Sequence, residues 1–110
     1  MPGLWRSKAL RTALVVAGVS ALGLSVTGCG NTIFVVNANS AANKLEEAQA
    51  LGAEQYAAYE YWMAHEYLVK ARSEAAEADY SDAINLADES EEFSEKAIEL
   101  SKAAHRGAGR

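Results

Sequence analysis

Cys29 is the only thiol in this 110-residue chain, and the residues before it give it a context. Arg6, Lys8 and Arg11 form a basic head, Thr12 to Val26 is an uncharged apolar run, and small residues follow, which are the three parts of a secretory signal. The other reactive side chains are poorly arranged. His65 and His105 are the only histidines, and neither has a second ligand at metal spacing. His65-Glu66 begins like a zinc-protease motif, but Val69 stands where the second histidine belongs. No serine has a base set beside it, and no glycine-rich phosphate loop occurs, so no catalytic residues and no metal site are expected. The stretch from Asp88 to Glu99 carries six acids, Asp88, Glu89, Glu91, Glu92, Glu95 and Glu99. Oxygen ligands along a straight helix do not wrap a calcium ion as a loop does, so this run reads as a solvated face. Glu92 with Lys96, and Glu99 with Lys102, are spaced for weak pairs along the helix.

The four residues Val26, Thr27, Gly28 and Cys29 resemble the lipobox of bacterial lipoproteins. That resemblance implies a diacylglyceryl group on the Cys29 thiol, cleavage after Gly28, and an N-acyl chain on the new amino terminus. No other cofactor is expected. Two or three acyl chains, at about 0.8 kcal/mol per buried methylene, would make detachment from a membrane negligible. Family members with aspartate after the cysteine are often kept at the inner membrane. Here Gly30 follows, which implies the outer membrane, facing the periplasm. The competing reading is a membrane-spanning anchor or an ordinary buried helix from Thr12 onward, because no charged residue occurs from Thr12 to Asn43. Thr12 to Val26 would reach only about 22 Å as a helix, short of a hydrocarbon core of roughly 30 Å.

Composition narrows the partners. A chain beginning at Cys29 has 82 residues, with 15 Asp and Glu against 7 Lys and Arg and a formal net charge of −8. Nucleic-acid binding relies on clustered Lys and Arg, which are absent. With one cysteine no disulfide can form within the chain, so stability must come from packing. At this size a single core gives only about 3–5 kcal/mol, and a protein partner or self-association is therefore expected.

From Ser40 to His105 there is no proline and one glycine, Gly52, and apolar residues recur every three or four positions. The fold class is all-α, a helical hairpin or small three-helix bundle after an N-terminal lipoprotein signal peptide. Helix one is expected from about Ser40, its N-cap, to Leu51, with Gly52 as its stop. Helix two carries a seam of Tyr61, Ala64, Leu68, Ala71, Ala75 and Ala78. The phase then shifts by one residue to Ala83, Leu86, Ala87, Ser90, Phe93, Ala97, Leu100 and Ala104. That shift predicts a break near Asp79, which would cap helix three through the backbone N–H of Asp82. The alternative is one helix of some fifty residues in a coiled coil, since neither glycine nor proline enforces the break.

Tyr56-Ala57-Ala58-Tyr59-Glu60-Tyr61, Ala64, Tyr67-Leu68, Lys70-Ala71-Arg72, Glu74-Ala75 and Asp79-Tyr80 with Ala83-Ile84 form a further pattern. It resembles the alanine-rich bacterial lipoproteins of the domain of unknown function 4398 family, whose members often have proline where Ala58 stands. The resemblance implies helices and brings no activity. Tyr56, Tyr59, Trp62 and Tyr67 are the candidate partner surface, because Tyr and Trp pair an apolar body with a polar tip. The bundle itself is the favoured use for the wide aromatic arc, which can meet both other helices, and Trp62, with Val69, points away from it as the candidate exposed contact.

The expected organisation is a signal peptide over 1–28, a lipidated tether over 29–39, an alanine-rich helical domain over 40–106 and a tail over 107–110. The expected function is that of a membrane-anchored periplasmic lipoprotein whose helical module binds or scaffolds other envelope components. Two alternatives are an oligomeric coiled-coil spacer of the envelope and a small-ligand carrier using the aromatic cluster.

Overall fold

The computed structural model describes residues 29–108. The signal reading of residues 1–28, with Val26, Thr27 and Gly28, lies outside the described residues, as do the last two residues of the tail. The described residues form four helices in order: α1 over 29–50, α2 over Ala53–Tyr56, α3 over Ala58–Ala76 and α4 over Tyr80–Ala108. No strand occurs among the described residues. Within the unit Asn31–Arg110, side-chain bonds from Asn37 to Asp88 and from Lys102 to Glu47 set α1 alongside α4 in the same direction. The tight turn between α3 and α4 reverses the chain. An up-down-up three-helix bundle results.

Helix one starts earlier than its N-cap signal suggested. Residues 29–39 are already helical, and Phe34 and Ala38 join the core, so Ser40 lies inside the helix rather than capping it. Asn31, Thr32, Asn37 and Asn39 are poor helix formers, and packing of Phe34 and Ala38 overrides their preference. The other end agrees with expectation. Gly52 has φ +80°, and its N–H reaches the Gln49 carbonyl at 2.9 Å, so glycine stops α1 in the left-handed conformation.

Ala57, at φ −145° and ψ 51°, breaks α2 from α3. Ala58 is the first residue of α3, the helix position at which proline costs nothing because the N–H there has no partner within the helix.

The break predicted near Asp79 is present, and the fifty-residue helix is ruled out. Asp79 N–H bonds the Glu74 carbonyl at 2.9 Å and Ala78 N–H bonds the Ala75 carbonyl at 3.0 Å, the paired bonds of a Schellman turn. The Asp79 carboxylate accepts from the Asp82 N–H at 3.4 Å. Ala78 occupies the left-handed position at φ 62°, where its Cβ is strained. Ala78→Gly should therefore raise stability by about 1 kcal/mol, read as a higher urea midpoint with unchanged slope.

Among the described residues ten of the fifteen buried apolar ones are alanine, which lets the helices approach closely but leaves little room for anything larger. The seam residues Tyr61, Ala64, Leu68 and Ala71 are buried, Ala75 is half-buried, and Ala78 is exposed at the turn. On α4 the expected line is partly displaced. Ala83, Ala87, Ser90 and Ala97 are buried as expected, but Ser94, Ile98 and Ser101 take the core positions, while Phe93 is half-buried and Leu100 exposed. Ser90 donates to the Ala64 carbonyl at 2.7 Å. The Ser94 and Ser101 hydroxyls are buried with no hydrogen-bond partner. Replacing a buried, unpartnered hydroxyl by methyl removes its desolvation cost, so Ser94→Ala should stabilise by about 1 kcal/mol while Ser90→Ala should destabilise by a similar amount. Thermal melts of the two variants should move in opposite directions.

Candidate functional site

The four candidate aromatic residues lie on two faces of the bundle, Tyr56, Tyr59 and Tyr67 on one and Trp62 on another. Tyr67 stacks on Phe93 of α4, with centroids 5.6 Å apart and planes 18° apart, and Tyr59 meets the same ring edge-on at 6.2 Å. Tyr56 packs edge-on against His105 at 5.0 Å. These three rings thus spend one side on α4, which is the bundle use of the arc, although Tyr59 remains 66% exposed. Trp62 stands apart. Its ring meets Tyr61 at 5.0 Å and His65 at 5.6 Å, and it remains exposed, as does Val69 two turns on.

Beside Trp62 lies a groove of about 350 Å³ between α1 and α3. Leu45, Tyr61 and Leu68 supply apolar walls, and Glu46, His65 and Arg72 supply charge or a titratable ring at its edges. Burial and the Glu54 carboxylate raise the pKa of the Tyr61 hydroxyl above its ordinary value, so it stays a neutral donor. His65 was expected to face solvent. Its side chain is 43% exposed, but Nδ1 is hidden from water and lies 3.7 Å from the Glu66 carboxylate. Sequence reasoning missed this groove, although its signal was present: Tyr61, His65, Leu68 and Arg72 follow each other at spacings of 4, 3 and 4. Among the described residues no three His, Cys, Asp or Glu side chains converge as metal ligands.

Charge is organised between helices rather than along α4 alone. Lys44 of α1 bonds Glu91 at 2.5 Å and also Glu95, and Lys102 reaches Glu47 at 3.4 Å, not the neighbouring Glu99. Part of the acidic face therefore belongs to the α1–α4 contact. Hydrogen bonds to Glu91 and Glu95 raise the Lys44 pKa, and the bond from Lys44 lowers that of Glu91. His105, also expected in solvent, keeps an exposed ring but places Nε2 2.7 Å from the Leu51 carbonyl, so that nitrogen donates and ties the end of α1 to α4.

The signs of these shifts fix a pH profile. A lowered carboxyl stabilises the fold above its ordinary value of 4.5 and loses that contribution as pH falls through the lower folded value. A raised lysine contributes below its ordinary 10.5 and loses its share as pH climbs through the higher folded value. Stability from this clamp is thus flat through neutrality. Lys44→Met should cost about 1 kcal/mol there and should flatten the acid limb below pH 4.5, as measured by urea unfolding across pH.

Cys29 is exposed, with a free thiol. Among the described residues no helix is long and apolar enough to cross a membrane. Neither a curated protein nor a solved structure matches the chain. A family model does, over residues 37–108, which take in the α1–α4 clamp, the aromatic rings and the groove, so the chain belongs to the family described as domain of unknown function (DUF4398).

Proposed function

We propose that this protein is a lipid-anchored component of the bacterial cell envelope whose helical module binds or organises other envelope components from the periplasmic side of the outer membrane. The observation that carries the reading is Cys29 itself, an exposed thiol preceded by Val26-Thr27-Gly28, an uncharged apolar run and three basic residues. Lipid on Cys29 needs a free, reachable thiol. A partner of the module has a surface to use in Trp62, Val69 and the adjoining groove. The ligand-carrier reading has less to draw on, since Tyr59 and Tyr67 already lean on Phe93.

Mass spectrometry of the membrane fraction tests the anchor. The expected species begins at Cys29 with acyl chains attached; an uncut chain still carrying residues 1–28, or a soluble form without lipid, would overturn it. Crosslinking in cells from a photoreactive residue at position 62 tests the partner surface. Adducts that survive detergent and disappear when Val69 is changed to Lys are the expected result, and their absence would remove Trp62 from that role.

A further inference from the structure

We propose that the exposed apolar side chains near the start of α1, Ile33, Val35 and Val36, enter the lipid interface beside acylated Cys29, so that the bundle is seated on the membrane and not merely leashed to it. The inference rests on the lipid reading of Cys29 and adds a second contact to it. Ile33, Phe34, Val35 and Val36 are consecutive: Ile33 and Val36, three apart, share one face, Val35 flanks it, and Phe34 points away from it. Phe34 turns into the core at 8% exposure, whereas Ile33, Val35 and Val36 are 51%, 44% and 62% exposed. A helix in water keeps one apolar stripe, and a turn that is apolar all round is one surrounded by apolar material.

Chain length fixes how near that material is. Ile33 follows Cys29 by four residues, which span at most about 14 Å even when fully extended. A lipidated Cys29 therefore holds these side chains within reach of the headgroup and acyl boundary, into which apolar helix faces sink by about 5–10 Å. No charged residue occurs from Cys29 to Asn43 to resist that placement. A second copy of the chain could cover the side that Ile33 and Val36 share, but lipid is already within reach once Cys29 is acylated and needs no further partner. Lipid closes around a turn from every outward side. At the turn between α3 and α4, Glu77, Asp79 and Asp82 are exposed and stay in water, so contact is confined to α1 and should weaken on anionic lipid.

The test uses the full chain, expressed so that it is processed, purified and placed in vesicles of phosphatidylethanolamine and acyl-brominated phosphatidylcholine. Val36→Trp is combined with Trp62→Phe, or Ile33→Trp with Trp62→Phe should the first fail to fold, and the parent protein reports from Trp62. Strong quenching of the indole at position 36 by bromine, with little quenching at position 62, is the expected result. Intact mass on the same sample reads the state of Cys29. An unquenched indole on an acylated chain overturns the seating while leaving the lipid anchor in place. A chain without acyl mass removes the anchor and the seating together. An unquenched, blue-shifted indole with a dimer detected by crosslinking assigns the patch to a second copy and also overturns the proposal.

Discussion

Ala64→Leu should lower the thermal midpoint by about 15 °C or more, enough to leave much of the protein unfolded at growth temperature. Ala64 is completely buried, and its carbonyl receives the Ser90 hydroxyl at 2.7 Å, so α3 and α4 meet there backbone to side chain with nothing larger than a methyl or hydroxymethyl group between them. Three additional carbons have no void to enter. Overpacking of this kind costs about 1–3 kcal/mol, occasionally more. Forcing the helices apart also strands the Ser90 hydroxyl, at about 1 kcal/mol. A core of this size supplies only about 3–5 kcal/mol in all, so one substitution consumes most of it. Ala76→Leu on the exposed end of the same helix is the control and should move the midpoint little. An unchanged midpoint for Ala64→Leu would mean that the two helices do not meet at that residue.

The same reliance on small residues explains what could be read from the sequence. Tyr61, Ala64, Leu68 and Ala71 were legible as a seam because their three-four spacing is unbroken and the structure buries all four. The phase shift after Ala78 located the turn without a glycine, because a seam that changes side must change helix. Ser94 and Ser101 were not legible. Hydropathy ranks them as surface residues, yet where helices approach closely volume outweighs polarity, and both are fully buried while Leu100 stands 40% exposed. The beginning of α1 was hidden for a related reason: Asn and Thr discourage helix locally, and only contacts made later in the chain by Phe34 and Ala38 compensate. On the aromatic face, residue type was informative and direction was not. Tyr56, Tyr59 and Tyr67 share one side of a wheel, but only Phe93 and His105, 26 to 49 residues on, determine that this side faces α4.

Cys29→Ser should separate the anchor from the fold. The residue is exposed and lies outside the apolar core, so the circular dichroism spectrum and the unfolding of the helical unit should match those of the parent within error. Processing should not. A lipobox serine has no thiol to accept the diacylglyceryl group, and in lipoproteins of the resembled kind cleavage follows that step. The variant should therefore accumulate as an uncut chain retaining residues 1–28, with no incorporation of labelled fatty acid. Membrane sedimentation alone would mislead, because the uncut apolar run of Thr12 to Val26 can itself hold the chain at a bilayer. The informative pair is mass and label together. Parent and variant differing by loss of residues 1–28 and gain of acyl mass is the outcome expected of a lipoprotein; parent and variant alike uncut and unlabelled is that of a membrane-spanning anchor. Attachment through acyl chains, each worth about 0.8 kcal/mol per buried methylene, would leave the small alanine core free of any anchoring role, and the module could then spend its exposed rings and groove on a partner.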